Sequence, residues 1–299
     1  MSDTLANLRR KIGGAVQLET VVRTMKAVAA SSIGQYEAAV RSLADYQRSV
    51  ELGLSVCFRH GGVGKNAQQR TGTETIGAIV FGSDQGLVGQ FNESMADFVE
   101  KTLAAMPGKK KIWTVGERIE ARLADAGLPL ASRFAVPSSV AAITSLVGRL
   151  QLETETRGAD ACSELYVFHT SPGARGQNNA VSQRLLPLDA KWQRTVAKNA
   201  WPTRNAPQLF GHEEATVRGF VREYLFISLF KACAESLASE NASRLAAMQR
   251  AEKNIDSVLV KLNRTFYRLR QNSIDEELFD VISGFNALSE KAPARTAQK

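Results

Sequence analysis

Residues 245–273 read LAAMQRAEKNIDSVLVKLNRTFYRLRQNS, and alternate steps of three and four along them pick out Leu245, Met248, Glu252, Ile255, Leu259, Leu262, Phe266, Leu269 and Ser273. Seven of these nine are large apolar residues, a repeat that lines one side of a helix as the seam of a coiled coil. A helix over about 213 to 288 would extend on the order of 110 Å at 1.5 Å per residue. That is longer than the diameter of any domain the chain could build, so the helix needs a partner along its length.

The partner is sought at the other terminus. No proline precedes Pro107 and none lies between Pro207 and Pro293, which leaves both ends open to long uninterrupted helices. A looser stripe runs through Leu5, Leu8, Ile12 and Ala15, then Val22, Met25, Ala29, Ile33, Tyr36, Val40 and Leu43. Ser2 or Asp3 can cap its start, and the helix can reach about Cys57, roughly 80 Å on the same rise. Gly13, Gly14 and Gly34 each weaken it by about 1 kcal/mol relative to alanine. Packing against the C-terminal stripe offsets that cost, and an intrachain antiparallel pair is the economical arrangement.

Between the helices the pattern changes to alternating strand and helix. TIGAIVF (75–81), KKIWTVG (110–116), ELYVFHT (164–170) and the shorter AVSQRLLPLD (180–189) read as strands. NESMADFVEKTLAAM (92–106), ERIEARLADAG (117–127, with Gly127 as C-cap) and SSVAAITSLVGRLQLETETRG (138–158) read as helices. Strands spaced by helices imply a small, mostly parallel α/β sheet with right-handed crossovers. The predicted fold class is therefore α/β plus a long antiparallel coiled coil formed by the N- and C-terminal helices. The expected divisions are a coiled-coil helix at 1–58, a linker at 59–74, an α/β (Rossmann-like) domain at 75–207, a second coiled-coil helix at 208–289 and a disordered tail at 290–299.

The 299 residues carry a net charge of +8, which suits an acidic partner. The densest basic stretch, Lys261 to Arg270, lies in an amphipathic segment and is followed at once by the acidic DEELFD of 275–280; a nucleic-acid-binding face would keep one sign. No run is long and apolar enough to span a membrane, and MSDTLANLRRKIGG lacks the features of a secretory signal, so an intracellular location is expected. Cys57, Cys162 and Cys233 show neither a CxxC pair nor metal-ligand spacing to His60, His169 or His212, and read as buried thiols. In GSDQGLVG the glycines fall at 82, 86 and 89, missing the close pair that lets backbone approach a pyrophosphate. GGVGK (61–65) fails as a phosphate loop because Asn66 follows Lys65 and no strand precedes it; it reads as linker. Ser83 and Asp84 are expected to cap the turn that follows them. The residues leave open a nucleotide-dependent enzyme with helical arms, a coiled-coil scaffold or a nucleic-acid binder.

Three stretches together resemble the gamma subunit of F-type ATP synthases: RTMKAVAASSIGQYEAAV (23–40), GSDQGLVGQFN (82–92), and ASENASRLAAMQRAEKN (238–254) with RQNSIDEELFDVISG (270–284). Order and spacing agree over nearly the whole chain. The resemblance implies a central-stalk rotor: the helix pair turns inside a ring of alternating alpha and beta subunits, and the α/β domain meets the epsilon subunit and the membrane c-subunit ring. It further implies catalysis and Mg-ATP or ADP on beta, no cofactor on this chain, no nucleic acid, no membrane insertion, and a peripheral position on the cytoplasmic face of the bacterial inner membrane. Carried over by residue, Met25, Lys26, Arg244, Arg270 and Gln271 would contact the ring. Gly82, Ser83, Asp84, Gly86 and Gly89 would form a phosphate-free turn at the foot of the stalk.

Some residues depart from the family pattern. Gln85 stands where Arg is usual, Val88 where Cys is common, Asp275 where Thr follows Ile, and TSPGARGQNNA (170–180) is unfamiliar. Such departures are expected of a divergent branch, of which the second-copy (N-type) bacterial ATPases are one; the transported ion is set by the membrane ring.

Overall fold

In a computed structural model the chain forms α1 (Leu5–His60), β1 (Thr75–Phe81), α2 (Phe91–Ala104), β2 (Lys109–Val115), α3 (Glu117–Asp125), β3 (Leu130–Phe134), α4 (Val140–Thr154), β4 (Glu164–Pro172), β5 (Asn178–Leu186), α5 (Ala190–Ala197) and α6 (Glu213–Glu290). The structure describes residues 4–60, 75–155, 162–173, 178–205, 207–208 and 213–290. Of the expected linker at 59–74, residues 59 and 60 belong to α1, while 61–74, including GGVGK, lie outside the described residues, as do the tail from 291, His212 and the caps at Ser2 and Asp3. Thr4 starts α1 instead: its hydroxyl accepts the Asn7 N–H at 3.4 Å, the bond an N-cap residue makes. Among the described residues, no helix is long and apolar enough to cross a membrane.

The contacts divide the chain into two compact units, Ala27–Ala247 and Met1–Lys26 with Met248–Lys299. In the first, five strands lie in the order β3-β2-β1-β4-β5, parallel except for the β4–β5 pair. β1 is central and buried on both faces, which is why TIGAIVF is apolar without alternation. Ile79 and Phe81 face one layer with Trp113, Val147 and Leu150 of α4, and Phe230, Cys233 and Leu237 of α6. Ile76, Ala78 and Val80 face the other, with Met95 and Val99 of α2 and Ile119 and Leu123 of α3. This period of two is what a strand dictates.

Two elements escaped the sequence reading. β3 is five residues long, alternately exposed, and joins the sheet edge through a register shift opposite Ile112 and Trp113. α5 is eight residues long, capped by Asp189, whose carboxylate accepts the Lys191 N–H. The reading also placed one end of the second strand a residue late, at 116; Gly116 follows β2 with φ +123°, where a side chain would be strained.

The second unit contains the start of α1 and the distal part of α6. Lys26 bonds Glu252, and Arg9 stands 5.9 Å from the centre of the Phe266 ring. As residue numbers rise on one helix they fall on the other, so the pair is antiparallel. Leu8 is buried on α1 and Met248 on α6; Ile12, Ala15 and Val22 on α1 and Ile255, Leu259, Leu262, Phe266 and Leu269 on α6 are half-buried.

Candidate functional site

Residues 82–90 leave β1 at the point where the strand order reverses, β2 lying on one side of β1 and β4 on the other. In open α/β sheets this crevice, at the carboxyl ends of the strands, is where ligands bind. Here side chains of the chain itself bond to backbone and to one another. Ser83 is fully buried; its N–H donates to Asn92 Oδ1 at 3.0 Å, Asn92 Nδ2 donates to Ser83 Oγ at 2.8 Å, and Ser83 Oγ donates to the Gln85 carbonyl at 2.8 Å. Asp84 Oδ1 accepts the Glu117 N–H at 3.0 Å, and Oδ2 accepts the Val136 N–H at 2.9 Å.

That corrects the expectation for Asp84. Instead of capping its own turn it reaches 33 residues ahead to the first turn of α3 and 52 ahead to the loop before α4. A helix N-terminus is a ready anion site, and here a carboxylate of the chain occupies it. The glycines serve close packing and turn geometry. A Cβ at Gly82 would lie 2.3 Å from Ile119 Cβ, and Gly89 has φ +63°. Gly86 faces open space, and Leu87, exposed, holds φ +64° without being glycine. The turn thus ties β1, α2, α3 and the approach to α4 together.

The helix pair supplies the other expected site residues. Met25 is half-buried, whereas Arg270 and Gln271 are exposed. Lys26 Nζ lies 2.6 Å from Glu252 Oε2, and Arg23 Nε lies 3.4 Å from Glu252 Oε1. The hydrogen bond from Lys26 is the main reason the Glu252 carboxyl is held below its usual range. Beyond Leu269 the character of α6 changes. Residues 274–286 are all exposed, among them Ile274, Leu278, Phe279, Val281, Ile282 and Phe285, while α1 begins at Leu5, four residues before the Arg9 that meets Phe266. The far end of α6 therefore presents bare apolar side chains.

A family model described as ATP synthase matches residues 4–288 of this sequence. The chain belongs to the ATP synthase family. Curated relatives named ATP synthase gamma chain include one from a Nocardioides species, 24% identical over 303 residues and spanning 97% of this chain and 98% of the relative. Another, from a Parafrankia species, is 25% identical over 309 residues, spanning 98% and 100%. In fold, the chain is similar to one in the cryo-EM structure of Euglena gracilis mitochondrial ATP synthase, with a TM-score of 0.67 at 14% identity and 99% of each chain covered.

Within this ATP synthase family member, two side-chain pairs that involve α6 were not expected from the sequence. Arg244, read as a ring contact, turns inward: its Nη2 lies 2.6 Å from Glu240 Oε1, and the two side chains are only 13% and 7% exposed. Burial pushes the Glu240 carboxyl up against the downward pull of Arg244. Four residues apart on one helix face, the two could have been paired from sequence; their burial could not. His169 of β4 meets Glu235 at 3.0 Å. Burial pushes Glu235 up, but the bond and charge of His169, with Ser171 and Lys231, outweigh it and hold the carboxyl below its usual range.

Proposed function

We propose that this chain is the gamma-type central-stalk subunit of an F-type ATP synthase, a rotor that couples ion flow through a membrane ring to ATP synthesis or hydrolysis on beta subunits. The observation that carries this is the antiparallel pair of terminal helices whose longer member ends in exposed apolar residues, Ile274 to Phe285. A paired helix resists bending and twisting, and a bare apolar end requires a sleeve of other subunits to cover it. Family membership and relatives that are gamma chains over their full length support the same reading.

Mechanically, a rotor without threefold symmetry touches three equivalent catalytic subunits differently. Each orientation biases each nucleotide site toward a different affinity, and linkage makes the coupling reciprocal, so turnover turns the rotor and turning the rotor changes turnover. The partners are alpha, beta, epsilon and the c-subunit ring. The chain itself is non-catalytic and holds no cofactor, nucleotide being bound on its partners, and it works as a peripheral protein on the cytoplasmic face of the bacterial inner membrane. The hydrogen bonds of Ser83 and Asp84 within the chain support a structural rather than nucleotide-binding turn.

Co-purification tests the assignment. One copy of this chain is expected with three alpha and three beta subunits, and removal of residues 271–299 should leave ATPase activity uncoupled from ion pumping. Failure to recover ring subunits, or pumping unchanged by the truncation, would overturn the reading.

A further inference from the structure

Glu252 interrupts an otherwise apolar seam on α6, and the matching repeat on α1 places another glutamate, Glu19, at its own seam position. Both side chains are partly shielded, 19% and 16% exposed, at the edge of the seam. Arg23 joins them, its Nη2 2.5 Å from Glu19 Oε1 and its Nε 3.4 Å from Glu252 Oε1, and Lys26 closes the set at 2.6 Å from Glu252 Oε2. Two carboxylates and two cations form one neutral layer across the helix pair. An isolated surface pair contributes little to stability. A polar position inside a seam is different, because it weakens packing relative to leucine and fixes the alignment of the helices. The need for a fastener is local: Gly13 and Gly14 lie N-terminal to the layer on α1, with open space where their side chains would be.

We propose that Glu252 is a positioning residue of the rotor, which draws Lys26 and Arg23 onto the helix pair and fixes how residues 5–26 lie on the distal part of α6. Lys26 is thereby committed within the chain instead of being presented to a surrounding ring. The geometry stands on this chain alone; its consequence for coupling rests on the rotor reading.

Two measurements separate these. In the isolated full-length chain, an amine-reactive label read by mass spectrometry should modify Lys26 about five times more slowly than exposed Lys253, and Glu252→Gln should remove the difference. Equal rates in the unsubstituted chain overturn the proposal. In the assembled complex, Glu252→Gln and Lys26→Gln should each lower ion pumping per ATP by about two- to fivefold with KM for ATP unchanged, and the double variant should be no worse than either. Losses that add would show the two side chains acting apart, which also overturns it. If the chain does not assemble with alpha and beta subunits, the rotor reading fails, and the labelling result still decides the layer.

Discussion

Removing the carboxylate of Asp84 tests the account of the turn after β1. Its two oxygens each accept one backbone N–H, from Glu117 at 3.0 Å and Val136 at 2.9 Å, and the first of these bonds faces solvent while the second is partly buried. Bonds to charged groups are worth about 1.5–3 kcal/mol each when shielded and less when wet, so Asp84→Ala should destabilise by about 2–4 kcal/mol. Loss of a negative charge at the start of α3 adds about 0.3–1 kcal/mol at most. Asp84→Asn keeps one acceptor oxygen, which can serve the partly buried Val136 N–H, and should cost about half as much. Urea unfolding of the full-length chain gives the totals, and hydrogen exchange gives the location: the amides of 117 and 136 should lose protection first. An alanine variant within about 0.5 kcal/mol of the parent, the range of an ordinary surface substitution, would refute the reasoning. So would loss of protection elsewhere with those two amides unchanged.

Other outcomes follow from the same packing. Gly82→Ala should cost about 1–3 kcal/mol or more through its clash with Ile119 Cβ, whereas Gly86→Ala, with open space around it, should be neutral or stabilising by up to about 1 kcal/mol, both read by thermal melting. Met248→Ala, at a seam position 2% exposed, should cost about 2–5 kcal/mol in urea unfolding, while Val260→Ala, 59% exposed, should stay within about 0.5 kcal/mol. Glu235 is held below its ordinary value of 4.5, so its contribution is present above that pH and is lost as pH falls through the lower folded value. Glu235→Gln should therefore be less stable than the parent at pH 6, with the gap narrowing by pH 3.5 in urea titrations; a gap independent of pH would sink this explanation.

The helix pair was legible in the sequence because a 3.5-residue repeat is a local property, carried over nine positions from Leu245 to Ser273 and echoed from Leu5 to Leu43. β1 was legible for a similar reason, being central and apolar throughout. β3 was not: at a sheet edge only Phe134 of its five residues is buried, so LASRF carries no strong strand signal. The bonds of Asp84 join residues 33 and 52 positions apart, and no local rule reaches so far. Lys26 illustrates the limit best. The family resemblance suggested a ring contact for it, and its bond to Glu252, 226 residues away, became visible only once the two termini were paired. Glu252 did leave a trace, as a charged residue where the repeat demands an apolar one, yet the seam alone could not say which cation would meet it.

The three native cysteines have a practical consequence. Cys57 and Cys233 are buried, Cys162 is half-buried, and burial pushes the thiols of Cys162 and Cys233 upward, so little thiolate is available for reaction. A single cysteine introduced on an exposed helix position would outpace all three toward a maleimide. A fluorophore or bead could then be fixed to the otherwise unaltered chain, with little competing reaction at the three native thiols, to follow its turning one molecule at a time.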